Sequence, residues 1–380
     1  MTPARVSIVR CRSYDRAEVH DAVARAVELI GGAGLVGQSG VLLKPNLLSA
    51  SSRESRVCTD PEVVRATAEA LRAAGASDIA VGDSPGYGSA ARAMQKSGYD
   101  EVVPEWVRRV EFDAGRRHPT ASHPDLELAA AALDAGLLVN LPKIKTHAYM
   151  GLTLAVKNFF GCVLGTKKAQ WHLRAGENPA LFARLIVEIA YSFRPGLTVV
   201  DGVIAMEGNG PGSGEARALG LILAGDDPAA VDAVICRLLG FPPEELPTLA
   251  AARELGLGQP ELGKVEVLGE RVEAVAITGF KSAASNARQL GVGIPRSLKR
   301  MLRGALTCRP EIAPELCQLC ARCAEICPPK AIAVDAQQRQ YPAIDRARCI
   351  RCFCCQEVCP AKAISVKRGW LLRLGVPFAK

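Results

Sequence analysis

The chain is poor in several things that would each have named a class of protein. Aromatic residues make up only 5% of its 380 residues, so no aromatic-interleaved basic face is visible and nucleic acid is not an expected partner. No stretch approaches the roughly 18 consecutive apolar residues needed to cross a bilayer. The first residues show no basic segment followed by an apolar one, so a secretory leader is not expected and the expected location is the cytoplasm. No Walker-type phosphate loop is present. Gly86-x-Gly88-x-x-Ala91 matches a loose dinucleotide fingerprint, but Asp83-Ser84-Pro85 separates it from the preceding strand.

Cysteine is scarce where the chain is long and dense where it is short. Only Cys11, Cys58, Cys162 and Cys236 fall in the first 300 residues, while ten of the fourteen lie between Cys308 and Cys359. Charge breaks at the same place. From Arg288 onward there are 17 Lys and Arg against 6 Asp and Glu, whereas the first 287 residues hold 30 against 33. The overall charge of +8 is therefore a property of the C-terminal end. Such a break divides the chain into a body over 1–287, a basic connector over 288–310, a cysteine module over 311–368 and a basic, apolar tail over 369–380. With 49% hydrophobic and 23% charged residues, the whole is a packed globular protein.

In the module, Cys317, Cys320, Cys323 and Cys327 read C-x2-C-x2-C-x3-C and are followed by Pro328. Cys349, Cys352, Cys355 and Cys359 repeat that spacing thirty-two residues later and are followed by Pro360. Zinc takes its ligands as two pairs with a longer gap, which fits this pattern poorly. The two runs resemble the bacterial two-cluster ferredoxin. That resemblance implies two 4Fe-4S clusters with crossed ligation. One would be held by Cys317, Cys320, Cys323 and Cys359, and the other by Cys349, Cys352, Cys355 and Cys327. Cys308 and Cys354 fall outside the pattern and read as spare thiols. Two fully ligated cubanes pass single electrons and do no bond-making chemistry, so the module must serve something else.

The body alternates short β-rich runs (Val6–Val9, Val41–Lys44, Ile79–Asp83, Leu137–Leu141, Leu197–Asp201, Leu219–Leu223) with helical patterns such as Ala17–Ile30, Pro61–Ala74 and Pro228–Leu239. Strand runs without polar alternation, separated by helices, predict an α/β fold whose mostly parallel sheet is covered by helices on both faces. Thr59-Asp60-Pro61-Glu62 reads as a capping box and Asp227-Pro228 as a second helix start. In such sheets ligands bind at the carboxyl ends of strands. Four strand ends there carry Lys44 and Asn46, Asp83, the run Lys143-Ile144-Lys145-Thr146-His147, and Asp201 with Glu207 beyond it. Extended geometry places Lys143, Lys145 and His147 on one side. A helical reading of Gly151–Asn158 puts Thr153 and Lys157 on one face, next to Asn158. The candidate site therefore uses Lys44, Asn46, Lys143, Lys145, Lys157 and Asn158 to bind a small anionic substrate. Asp83, His147, Asp201 and Glu207 are its candidate acid-base groups, the three acids also being able to hold a magnesium-like ion. Nothing in the sequence speaks for or against a flavin. His172 is a weaker candidate, and the Gly208–Gly214 run reads as a flexible loop over the site.

These same segments, with Gly82-Asp83-Ser84-Pro85-Gly86, Gly151-x-Thr153-x-Ala155-x-Lys157-Asn158-x-x-Gly161 and Asp201-Gly202-x4-Glu207-Gly208-Asn209-Gly210-Pro211, resemble the domain-of-unknown-function 362 family over most of 5–285. The resemblance implies the same fold, frequent fusion to a two-cluster ferredoxin, and an association with anaerobic metabolism, without a settled reaction. A more distant likeness, to nickel-pincer lactate racemases, rests on the expected fold and a Gly/Lys-rich loop.

The connector carries Arg296, Lys299, Arg300 and Arg303 on one helical face. It reads first as packing against the body, then as docking an acidic electron donor such as ferredoxin or flavodoxin, and last as peripheral membrane contact. Together the features predict an oxygen-sensitive iron-sulfur reductase. The alternative from another class is a non-catalytic electron carrier or maturation factor that docks a partner enzyme.

Overall fold

A computed structural model describes residues 3–36, 40–165, 167–193, 196–284, 307–335 and 340–369. The basic face of the connector and the tail beyond Gly369 lie outside the described residues.

The body strands are β1 (Ala4–Arg10), β2 (Val41–Pro45), β3 (Ile79–Asp83), β4 (Arg108–Glu111), a small hairpin of β5 (Gly115–Arg117) and β6 (Glu127–Ala129), β7 (Leu137–Leu141), β8 (Lys143–His147), β9 (Gly151–Thr153), β10 (Leu197–Glu207), β11 (Glu215–Gly225) and β12 (Val265–Gly269). One sheet runs β12-β1-β11-β10-β7-β2-β3-β4, with β8 pairing β10 and β9 pairing β8. The pairs β1/β12, β10/β7, β2/β7, β2/β3, β3/β4 and β10/β8 are parallel. Only β1/β11, β10/β11 and β8/β9 are antiparallel in it.

The unbroken apolar runs follow from burial on both faces. In β2, Val41 and Leu43 pack with helices Arg16–Leu29 and Pro61–Ala73, while Leu42 points the other way into the larger core. That second face is covered by helices Pro179–Ser192, Pro228–Leu238 and Pro247–Leu255. The sheet is therefore mostly parallel with helices on both sides, as the alternating pattern predicts.

Three local readings change. Helix Pro61–Ala73 is capped by Asp60, whose carboxylate accepts from Glu62 N, and not by Thr59. The Thr59 hydroxyl donates instead to Leu141 O at 2.7 Å, because strand and loop need that bridge. Gly151–Thr153 is a strand, and the helix is only Ala155–Asn158. Pairing with β8 claims the first three residues before a helix can start. Strand β10 runs six residues past Asp201, bulging between Gly202 and Ile204.

The C-terminal module repeats in its backbone as it does in its sequence. Left-handed φ values occur at Leu319, Ala321 and Lys330, and thirty-two residues later at Arg351, Phe353 and Lys362. Each member of these pairs turns the cysteine loop at the same point, a costly conformation for residues with a Cβ. Two antiparallel pairs flank the loops: β13 (Arg309–Ile312) with β16 (Ile364–Lys367), and β14 (Ile332–Asp335) with β15 (Gln340–Ile344). Phe353 and Cys308, both at most 1% exposed, belong to the large core of the body, so the module is packed onto the sheet domain.

Candidate functional site

Two cavities in the module are walled by cysteines. One is lined by Cys317, Cys320, Cys323 and Cys359, the other by Cys327, Cys349, Cys352 and Cys355. These are the crossed sets named above. Among the described residues no three His, Cys, Asp or Glu side chains converge as single-ion ligands would. Thiolates spread around a cavity suit a cubane better than one zinc ion, which draws four ligands to about 2.0–2.3 Å.

A third cavity, partly open to solvent, lies where module and body meet. From the sequence candidates it gathers Asn46, Asp83, Lys145, His147, Lys157 and Asn158. It also gathers Thr153, Phe160, Lys168 and His172 from the body, and Ile326, Cys354, Glu357 and Val358 from the module. The site is thus built across two domains.

Each cation is held by its strand or helix. Lys145 is fully buried and donates to Asn46 Oδ1 at 2.6 Å and Val57 O at 2.7 Å. Asn46 Nδ2 passes the contact on to Asn158 Oδ1 at 3.1 Å, and Asn158 Nδ2 donates to Asn140 Oδ1 at 2.8 Å. This amide chain ties three strand ends to helix Ala155–Asn158. The helix itself is anchored by Asp232, which accepts from Ala155 N at 2.7 Å and Val156 N at 3.2 Å. Lys157 thereby points its amine at the cavity, and no hydrogen-bonding or ion-pair partner for it occurs among the described residues. Lys168 donates to Val163 O. Burial lowers the amines of both Lys145 and Lys168 to about 7, against the pull of Cys58 on the first and Asp83 on the second.

The two histidines of the cavity, His147 and His172, are neutral. His147 Nδ1 accepts from Tyr149 N at 3.0 Å and Met150 N at 3.3 Å, which puts the proton on Nε2. Nε2 lies 3.1 Å from Glu357 Oε1, off the line of a directed hydrogen bond, a close polar contact between the domains. Burial lowers the His147 imidazole to about 4, with Lys157 reinforcing the effect. Burial alone would raise Glu357, but His147 and Lys157 overcome it and hold the carboxyl at about 2, ionised. His172 is 5% exposed, its Nδ1 has no partner, and burial lowers it to about 3.

The remaining candidates sit elsewhere. Lys44 lies behind the cavity, 2.7 Å from Asp83. Lys143 and Asp201 form a sealed pair at 2.8 Å, joined by Tyr14 and Asp60 N. Glu207, at the end of β10, accepts from Lys281 N at 3.0 Å. The three acids Asp83, Asp201 and Glu207 thus serve three different partners. Loop Gly208–Gly214 is a connection between domains: Gln356 Nε2 donates to Asn209 O at 3.1 Å, and Thr146 Oγ1 donates to Gly208 O at 3.0 Å.

Sequence reasoning missed Lys168, Cys354 and Glu357. Lys168 stands in the short polar run that also carries His172, an available signal. Cys354 and Glu357 had none, because nothing in a single chain says which domain will face which.

The family described as a domain of unknown function (DUF362) matches residues 41–237, and a 4Fe-4S dicluster domain matches 316–363. A thylakoid-associated protein of Synechocystis sp. is 41% identical over 257 residues, covering 66% of this chain and 79% of that protein. Among solved structures, the lactate racemase apoprotein from Thermoanaerobacterium thermosaccharolyticum aligns with a TM-score of 0.39 at 16% identity. That alignment covers 55% of this chain and 51% of that one.

Proposed function

The chain belongs to the domain-of-unknown-function 362 family and carries a 4Fe-4S dicluster domain behind it, and from that premise we propose that it is a reductase of a small anionic substrate. The clusters, when bound, store and pass single electrons. The observation that carries the reading is the cavity shared by the two domains, which Lys157, with an amine lacking a hydrogen-bonding or ion-pair partner among the described residues, lines together with the module's Cys354 and Glu357. A pure electron carrier has no use for a lysine-lined cavity beside its clusters.

In this reading Lys157, Lys145 and Lys168 hold the anion, and Lys44 with Asp83 stiffens the wall behind it. Lys145 and Lys168, with amines near neutrality, are suited to giving a proton to a substrate as electrons arrive. Neutral His147 keeps its Nε2 beside Glu357 across the domain boundary. Asp201 and Glu207, first grouped with the acid-base residues, become structural in this proposal. A magnesium-like ion and a flavin are not needed for it. The electrons come from an acidic donor of the ferredoxin or flavodoxin class.

Among the described residues no helix is long and apolar enough to cross a membrane. We infer a cytoplasmic protein. The thylakoid association named for the relative makes membrane contact the alternative, and fractionation with a salt wash separates the two.

The test is anaerobic. Protein carrying about eight irons is reduced with one equivalent of dithionite per cluster, and reoxidation is followed near 400 nm on adding a panel of small carboxylates and phosphates. Reoxidation by a panel member, slowed at least tenfold in Lys157→Met with iron unchanged, supports the reductase. If no member reoxidises the clusters and a partner protein is reduced equally well by wild type and Lys157→Met, the carrier reading replaces it.

A further inference from the structure

The charges of the shared cavity are polarised, although the body also lines it with the apolar Leu47, Leu48 and Phe160 and with the Asp83 carboxylate. Its cations come from the body: Lys145, held by Asn46 and Val57 O; Lys157, with no hydrogen-bonding or ion-pair partner among the described residues; and Lys168, one turn from His172 on helix Lys167–Ala175. The His172 Nδ1, buried and unpartnered, adds a neutral hydrogen-bonding atom there. The wall contributed by the module is different. Ile326 and Val358 are apolar, Cys354 is a buried thiol, and the one charged group is the Glu357 carboxylate. An anion is drawn to Lys157 and Lys168 and repelled by Glu357 on the module side.

We propose that the cavity takes an amphipathic anion, with its carboxylate or phosphate head on the body side at Lys157 and Lys168 and its apolar body against Val358 and Ile326 of the module. This rests on reading the cavity as a substrate site. A wholly polar anion would leave the apolar wall in contact with water or with charge. A neutral apolar molecule filling the cavity would cover the half-buried Lys157 amine without compensating its charge. Only a ligand with both ends matches both walls.

The orientation has a chemical consequence. The end of the ligand remote from its charge lies beside Cys354, next in the chain to the cluster-lining Cys355. The anionic group is then a handle, and the atom reduced belongs to the apolar part of the molecule.

Isothermal titration of oxidised, iron-loaded protein decides this, with four probes: cinnamate, phenyl phosphate, inorganic phosphate and cinnamyl alcohol. Cinnamate or phenyl phosphate should bind at least tenfold tighter than both inorganic phosphate and cinnamyl alcohol, and the tighter of the two identifies the head group. Lys157→Met should weaken that ligand tenfold or more, and Lys157→Arg should restore most of the loss. Val358→Thr should weaken it severalfold and leave inorganic phosphate unchanged. Iron content and melting temperature are checked for each variant, so a misfolded protein is not mistaken for a binding defect. Inorganic phosphate binding as tightly as cinnamate and phenyl phosphate overturns the proposal. So does binding indifferent to both Lys157→Met and Val358→Thr, or no binding of either amphipathic probe. The titration uses no electron donor, so its outcome is independent of the reoxidation assay that decides the reductase reading.

Discussion

Two lysine-aspartate pairs stand at the carboxyl edge of the sheet and look alike in sequence. Lys44 and Asp83 meet at 2.7 Å, Lys143 and Asp201 at 2.8 Å, and none of the four side chains is more than 3% exposed. Their surroundings separate them. Asp201 is saturated: Tyr14 OH donates to Oδ1 at 2.7 Å, while Lys143 Nζ at 2.8 Å and Asp60 N at 2.9 Å share Oδ2. Asp83 Oδ2 accepts from Leu47 N at 2.8 Å, but Oδ1 has only the charge of Lys44 near it and no directed hydrogen bond. Asp83 also lines the shared cavity, and Asp201 does not. Burial and charge therefore do not distinguish the pair that borders the cavity from the one that does not. Residual hydrogen-bonding capacity facing a cavity does.

The largest effect should come from breaking the sealed pair. Lys143→Met leaves Asp201 buried without its countercharge, a loss of about 3–5 kcal/mol. Lys143→Met/Asp201→Leu should recover much of it, since an apolar replacement of both partners removes the orphaned charge. Lys44→Met should cost less, about 1–3 kcal/mol, because Asp83 keeps the Leu47 N–H on Oδ2 and the Lys168 charge nearby. Urea unfolding of the anaerobic holoprotein measures all three. Equal losses for Lys44→Met and Lys143→Met would end the distinction between the pairs.

The next largest effect concerns how closely the open pair is packed. A Cβ on Gly161 would collide with both Asp83 Oδ1 and Lys44 Nζ. Gly161→Ala must push the pair apart or shift the helix end, at about 1–3 kcal/mol. Unfolding midpoints and anion affinity should fall together. A normal affinity with lowered stability would show that Lys44 and Asp83 have no part in the site.

The sheet was legible from the chain because burial on both faces leaves uninterrupted apolar strands such as Val41–Leu43 and Ile79–Val81, and the clusters because eight cysteines repeat with their prolines. The site was half legible. Lys145, His147, Lys157 and Asn158 could be grouped because a strand and a short helix place them at one strand edge. Lys143 could not be separated from Lys145, since period two puts both on the same side, and only the β10 bulge decides which amine meets Asp201. Glu357 and Cys354 were illegible, because their role depends on domain docking through Phe353 and Gln356.

A pH series sharpens the comparison with a smaller effect. Lys145 and Lys168 have amines near 7, lowered first by burial; Lys157, Lys143, Cys58 and Glu357 face the former, and Asp83, Lys44, Cys162 and Lys157 the latter. Below pH 7 both are cations, and above it they lose charge, so anion affinity should fall from pH 7 to 9, by up to about tenfold per unit for each lysine in contact. Stability should move the other way. An unfolded lysine keeps its proton to about pH 10.4, so the unfolded chain binds more protons between pH 7 and 10 and stability rises with pH, by at most about 1.4 kcal/mol per unit per lysine. Titration calorimetry and urea unfolding at three pH values separate the two trends. Affinity that stays constant to pH 9 would remove Lys145 and Lys168 from the anion's contacts.

The smallest expected effect tests whether the sealed pair is truly separate from the cavity. Tyr14 OH donates to Asp201 Oδ1 and accepts from Lys143 Nζ at 2.6 Å, and its ring lies 4.8 Å from the Arg56 guanidinium. Tyr14→Phe keeps the ring, its packing and the cation-π contact, and deletes one hydroxyl. Asp201 Oδ1 loses its donor but the carboxylate keeps Lys143 and Asp60 N, so the cost should be about 1 kcal/mol. Because neither Tyr14 nor Asp201 reaches the cavity, the affinity for the anionic probes should stay within twofold of wild type. A loss of affinity comparable to the loss of stability would mean that strand β8, which carries Lys143 and Lys145 two residues apart, transmits the disturbance from one pair to the other, and the two regions would then have to be treated as one site.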